Sequence, residues 1–184
     1  MKKRCSWVPS ENELYCRYHD EEWGKPLYED RALFELLCLE SYQSGLSWLT
    51  VLKKRSAFKE VFYNYDIAKV ARFSQREMAV AMQNPSIIRH RQKLAATVNN
   101  AQAVLNLQKE FGTFSAYLWD FIGGKPILNL VNQAHPVPTQ NDLSKKLAKD
   151  LKKRGFKFLG PTTVYSFLQA SGMINDHEEG CSFK

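Results

Sequence analysis

Nowhere in the 184 residues do eighteen consecutive apolar positions occur, so no membrane-spanning helix is expected. The opening stretch, MKKRCSWVPSENELY, has charge but no apolar h-region, which argues against a secretory signal. Low-complexity tracts are missing, and nothing repeats at a fixed period; arrays and solenoids are excluded. Cysteine is sparse, with only Cys5, Cys16, Cys38 and Cys181. The expected compartment is the cytoplasm, where these are reduced thiols or metal ligands rather than a disulfide framework. Strand signals are nearly absent: only PILNLV and FKFLG look extended, and both are short.

What is present is a core, aromatic residues and positive charge. Hydrophobic residues make up 44% of the chain, enough for one domain or two closely packed helical lobes over residues 1–184. Four Trp, eight Tyr and eleven Phe leave aromatic side chains available for a site as well as a core. A formal net charge of +7 suits a polyanionic partner, nucleic acid first, or simply a soluble basic protein.

The patterning is helical. Leu33, Phe34, Leu36 and Leu37 sit at helical spacing in residues 30–41, behind the acidic pair Glu29 and Asp30. Ser47 is placed to cap WLTVLKKRSAFKEVF, and Asp66 to start a short helix through Ala71. Ser74 and Glu77 form a capping-box pair for QREMAVAM. Residues 91–110 are the longest candidate, Thr113 caps FSAYLWDFI, and Asn141 or Asp142 opens the basic LSKKLAKDLKKR. Residues 123–139, with three prolines and adjacent glycines, read as a loop. The fold class expected is all-α.

The segment LKKRGFKFLGPTTVYSFLQASG reads as a basic helix ending at Gly155, a tight turn, and an apolar helix begun by Pro161. Backbone N–H groups at Gly160 and Thr162 suit a phosphate, with Lys152, Lys153, Arg154 and Lys157 adding positive charge. The pattern resembles the helix-hairpin-helix element of DNA repair glycosylases, which grips backbone without reading sequence. Its plain alternative is a helical corner with a solvated basic face.

Two further features need explaining. Cys5 and His19 lie near one end of the chain, His177 and Cys181 near the other. They offer the donor set of a structural zinc site, His177 and Cys181 sharing a face if their segment is helical; alternatively, His19 is a core or surface histidine and Cys181 an incidental thiol. Glu40 ends an apolar helical stripe beside LESYQSGLSW. An unpartnered charge there is costly, so it either pairs with a neighbour such as Lys53 or awaits a ligand. Cys16 and Cys38 read as packing residues, and neither His90 nor His135 has ligand partners nearby in sequence.

CSW at 5–7, YHDEEWG at 18–24, LESYQSGLSW at 39–48, VLKKR at 51–55, IIRHRQK at 87–93, KKRGFKFLGPTT at 152–163 and NDHEEGC at 175–181 occur in one order. Together they resemble the bacterial Tag-type family of 3-methyladenine DNA glycosylase I, within the helix-hairpin-helix superfamily. The resemblance spans nearly the whole chain and is weakest at 123–139. It implies one structural Zn2+ held by Cys5, His19, His177 and Cys181, joining the terminal segments. It implies that Glu40 recognises the base between Tyr18 and Trp48, with Tyr15, Trp7 and Trp23 lining or supporting the pocket. Gln43, Gly45 and Leu46 would enter the gap left by a flipped nucleotide. The family commonly reads QAGLSW where this chain has Ser44, which puts the packing of that turn in question.

The implied partners are alkylated double-stranded DNA and the 3-methyladenine base, with no membrane, for a monomer in the bacterial cytoplasm that is nucleoid-associated when acting. The implied reaction is hydrolysis of the N-glycosidic bond without a lyase step. Asp176, the only carboxylate placed like the catalytic Asp of other helix-hairpin-helix glycosylases, lies beside His177. The competing expectations are a non-catalytic helix-hairpin-helix DNA-binding protein and a zinc-stabilised helical interaction module.

Overall fold

A computed structural model describes residues 2–184. Among them, helices dominate and most begin on a side-chain cap. Helix α1 (Glu13–Glu21) starts where Asn12 accepts from the Tyr15 N–H. Helix α2 (Asp30–Gln43) starts where the Glu29 carboxylate receives the Arg31 and Ala32 N–H groups. Ser47 caps α3 (Trp48–Val61), Asp66 caps α4 (Ile67–Val70), and the Ser74–Glu77 capping box opens α5 (Gln75–Ala81). Each cap satisfies a donor that the first helical turn leaves unpaired. Helix α6 (Arg91–Phe111) is capped by the His90 imidazole, α7 (Phe114–Phe121) by Thr113, and α8 (Asp142–Lys153) by Asn141. Helix α9 (Pro161–Ala170) has proline in its first turn.

Four points differ from the sequence reading. Helix α1 was not anticipated, because its mostly polar residues lack a strong apolar stripe. Within PILNLV, β1 (Ile127–Leu128) pairs in parallel with β2 (Ile174–Asn175). The all-α expectation therefore needs this small addition. FKFLG forms no strand: the Lys157 N–H goes to the Asn100 side chain rather than to a ladder. Finally, the condition that residues 177–181 be helical is not met; a turn closed by the Cys181 N–H to the Glu178 carbonyl brings His177 and Cys181 together instead.

Helix α2 is the axis of the packing. Every residue from Leu33 to Tyr42 is buried, because α3, α6, α7 and α9 all pack against it. Its N-terminus is tied across the core, where Asp30 accepts from the Gln108 side chain and the Phe114 and Ser115 N–H groups. A second apolar cluster joins Cys5, Val8, Cys16, Tyr18, Trp23, Leu52 and Cys181, so the two ends of the chain share one packed region. No helix among the described residues is long and apolar enough to cross a membrane.

Two glycines test how tightly this packing is set. Gly172 has φ +68, and a Cβ there would lie 2.1 Å from the Lys25 carbonyl carbon. Gly155, with φ +88, has open space around its Cβ position. Gly155→Ala should cost about 1–2 kcal/mol, the left-handed penalty alone. Gly172→Ala should cost roughly 3 kcal/mol or more, because backbone must also move. Urea denaturation of the two variants checks the difference.

Candidate active site

The end of α2 delivers Glu40 to a cavity of about 260 Å³, towards the small end of ligand pockets. Trp7, Tyr15, Tyr18, Trp23, Gln43 and Trp48 line it with Glu40. The structure thus gathers the carboxylate and all five aromatic residues singled out in the sequence around one space. Tyr18 and Trp48 face each other with ring centroids 5.2 Å apart and planes inclined at 53°. Trp7 stands edge-on to Tyr15 at 5.8 Å and to Trp23 at 4.8 Å. The buried Trp48 indole N–H has no hydrogen-bond acceptor.

Glu40 is only 5% exposed. Among the described residues its carboxylate has no ion pair, and the pairing with Lys53 does not occur: Lys53 is exposed, and the basic side chains of α3 turn elsewhere. Arg55 goes to Glu22 and Glu35, and Lys59 to Glu35. Burial alone pushes the Glu40 carboxyl up to about 8, the shift expected when a charge is desolvated without compensation.

The cavity also has residues that sequence reasoning missed. Ser166 and Gln169 come from one face of α9, and Val137 from the proline-rich loop. The only signal for the first two was a pair of polar residues, three apart, inside an apolar helix. Val137 had none, since nothing local shows where a loop will lie.

Gln43 to Leu46 form a turn at the cavity edge. Ser44 has φ −49 and ψ 115, Gly45 has φ +82, and the Leu46 N–H donates to the Gln43 carbonyl at 2.7 Å. This is a type II turn with glycine where φ must be positive. Ser44 occupies the position that accepts most residues, with its side chain in solvent, so the departure from QAGLSW does not disturb the turn. Leu46 is 38% exposed at the rim.

The hairpin between α8 and α9 lies at a second location. The Phe156 N–H reaches back to the Leu151 carbonyl and the Gly155 N–H to that of Lys152, a Schellman closure. Lys153, Lys157, Gly160 and Thr162 are exposed there, and α9 begins at Gly160 with no side-chain cap. Arg154 must be removed from this basic set. Its guanidinium pairs with Asp150 and Glu110, both at 2.7 Å, and lies 5.0 Å from the Phe111 and Tyr117 ring centroids. That charge is already spent inside the fold.

Behind the aromatic wall, ligand atoms of Cys5, His19, His177 and Cys181 lie within 4.8 Å of one another, and all four residues are buried. His19 Nδ1 is 2.8 Å from Asp20, and His177 Nδ1 is 3.0 Å from Asn175. Each ring therefore turns Nε2 inward: that of His19 lies 3.7 Å from Cys181 Sγ, and that of His177 is a buried atom without a partner. Outer oxygens that fix Nδ1 and free Nε2 are what metal-ligating histidines use. Burial holds His177 down at about 4, leaving it neutral, the ligand form. Cys16 and Cys38 are buried outside this cluster. Asp176 is buried as well and accepts from Tyr165, Gln169 and Asn129; it does not itself line the cavity but holds Gln169, which does.

The model of the family described as methyladenine glycosylase matches residues 7–184. The chain belongs to the methyladenine glycosylase family. A DNA-3-methyladenine glycosylase of Haemophilus influenzae (strain ATCC 51907 / DSM 11121 / KW20 / Rd) is 47% identical over 184 residues, covering 100% of this chain and 99% of that protein. DNA-3-methyladenine glycosylase 1 of Escherichia coli (strain K12) is 44% identical over 179 residues, covering 97% and 95%. A crystal structure of 3-methyladenine DNA glycosylase I in complex with 3-methyladenine superposes with a TM-score of 0.92 at 44% identity, covering 95% of each chain.

In this methyladenine glycosylase family member, Glu40 links stability to pH. Its folded value is near 8 against an ordinary 4.5, so between those values the folded state keeps a proton that the unfolded chain has lost. Stability is therefore greatest below about pH 4.5 as far as Glu40 is concerned, and falls as pH rises toward 8, by at most about 1.4 kcal/mol per unit. Glu40→Gln should remove that slope and be the more stable protein at about pH 8. Urea titrations across the window check both statements.

Proposed function

We propose that the chain excises 3-methyladenine from alkylated duplex DNA, a reading supported by relatives named DNA-3-methyladenine glycosylase. It is an enzyme of the DNA-3-methyladenine glycosylase class. The observation that carries the residue-level reading is the partnerless buried carboxylate of Glu40 inside a cavity with aromatic walls. Methylation at N3 makes the base cationic while it is still attached to deoxyribose. A cation entering the cavity is the missing partner of Glu40, and its arrival favours the ionised carboxylate.

Glu40 accepts from the exocyclic amine, while Tyr18 and Trp48 present π faces that prefer the charged base. Tyr15, Trp7 and Trp23 complete and support the walls. When the N-glycosidic bond breaks, its electron pair goes to the base, which departs neutral. The sugar becomes oxocarbenium-like, and the negative carboxylate, acting across the bound purine, favours that charge electrostatically. Water then adds to the sugar carbon and loses a proton, leaving an abasic site. None of the residues lining the cavity is a lysine, which supports a monofunctional reaction without a Schiff base.

A base within the stack cannot reach Glu40, so the nucleotide is flipped out. Leu46, on the turn with Gln43 and Gly45, is the apolar wedge that fills the gap. Lys153 and Lys157, with the N–H groups of Gly160 and Thr162, hold the DNA backbone at the hairpin. In this reading the protein is a monomeric single domain in the bacterial cytoplasm, working on nucleoid DNA.

Cys5, His19, His177 and Cys181 would hold one zinc. With four protein ligands it would be structural, supplying a cross-link between the chain ends and no position for reacting water.

Two experiments test these statements. Chromatography of bases released from methylated duplex DNA should show 3-methyladenine with little 7-methylguanine, and Glu40→Gln should slow release about 100-fold or more. Base release by Glu40→Gln at the parental rate, or a borohydride-trapped protein–DNA adduct, would overturn the mechanism. Metal analysis should find one zinc per chain, and its removal by chelation should lower Tm by on the order of 10 °C; a metal-free protein with the same Tm would rule the zinc out.

A further inference from the structure

The IIRHRQK segment has no role in the site just described, yet one of its residues is placed unusually. Lys93 lies near the start of α6 and is only 7% exposed. Its ammonium has no carboxylate within ion-pair distance among the described residues. Instead it donates to the Tyr42 carbonyl at 3.0 Å and the Ser44 carbonyl at 2.7 Å. These acceptors belong to the end of α2 and to the turn that carries Leu46. The last turn of α2 has no basic residue of its own, so Lys93 supplies from another helix the cation that a helix C-terminus favours. An ammonium buried on carbonyls alone is expensive unless those bonds are made, so the lysine and the turn constrain each other.

The same helix grips the hairpin. Asn99 donates to the Gly155 carbonyl at 2.7 Å, and Asn100 exchanges hydrogen bonds with the Lys157 backbone at 2.8 and 3.0 Å. Lys93 and this asparagine pair stand roughly 10 Å apart along α6 at the usual helical rise. One rigid helix thereby spaces the Leu46 turn from the phosphate-holding hairpin.

We infer that Lys93 is a positioning residue that holds the Gln43–Leu46 turn in register with the α8–α9 hairpin, so that Leu46 enters the duplex where the base leaves it. The inference rests on the wedge reading of Leu46 proposed above. Lys93 is not itself a lining residue of the base cavity and holds the backbone on either side of Gln43, at the cavity's edge, so it should matter far more for duplex DNA than for the free base.

Three variants separate the possibilities: Lys93→Met, Lys93→Arg and Leu46→Gly. For each, excision kinetics on methylated duplex and binding of free 3-methyladenine by tryptophan fluorescence are measured, with Tm recorded. The expected result is a fall of about tenfold or more in kcat/KM on duplex for Lys93→Met. Free-base affinity should stay within about twofold, and Lys93→Arg should recover most of the duplex activity. An equal loss of free-base binding, or full duplex activity in Lys93→Met, overturns the inference. So does a Lys93→Arg protein that melts normally but is as impaired as Lys93→Met. If Lys93→Met is unfolded at the assay temperature, Lys93→Gln is read by the same two assays against the same outcomes. Leu46→Gly isolates the underlying reading: parental duplex activity there removes the wedge itself, whereas a duplex-specific loss there with none in Lys93→Met removes only the role of Lys93.

Discussion

A nearly buried carboxylate without a cation beside it, facing a cavity, is the constraint around which this structure is arranged. Glu40 sits near the end of a helix buried along most of its length, and none of the described residues forms an ion pair with it. Such a group raises the free energy of the folded state at neutral pH, and the fold tolerates it because α2 is held by neighbours on every side. The cost is localised where a cationic base would relieve it. The same desolvation that destabilises the empty cavity strengthens attraction to a positive ligand and discriminates against neutral ones.

The aromatic wall beside Glu40 must itself be held in place. Tyr15, Tyr18 and Trp23 come from α1 and its end, and Trp7 from the terminal segment before it. These are short elements near a chain end, the part of a protein that ordinarily frays. Here they lean on the Cys/His cluster: Trp7 and Trp23 lie against His19, and Trp23 stands 4.7 Å from His177. The cluster is thus the back of the wall, so anything that tightens it also stiffens the surface against which a base would stack. The Cys/His cluster and the aromatic wall are layers of one packed unit.

The surface around the cavity shows a similar division of labour. The hairpin leaves backbone donors and lysines exposed, while Arg154, close by in sequence, is consumed by Asp150 and Glu110. Positive charge in a sequence therefore overstates the charge available to a polyanion. Helix α6 connects the hairpin to the Leu46 turn through side chains that bond backbone groups on both, so their contribution is geometric as well as electrostatic.

Local chemistry was readable from residue order. Caps at Ser47, Asp66, Ser74, Thr113 and Asn141 are short-range hydrogen bonds between neighbours, so the helix starts were legible. So were the turn at Gly45, the C-terminal glycine at 155 and the family pattern that pointed to Glu40, Tyr18 and Trp48. Tertiary structure alone decided what depends on separations of many tens of residues. It turned residues 177–181 away from helix so that two chain ends meet, paired Ile127 with Ile174, brought Ser166, Gln169 and Val137 to the cavity, and gave Lys93 the carbonyls of another helix. The physical reason is that a cap or turn is settled within four residues, whereas the partner of a buried donor or charge is settled by packing. For Glu40 the sequence raised the question of a partner; only the packed structure left it without one.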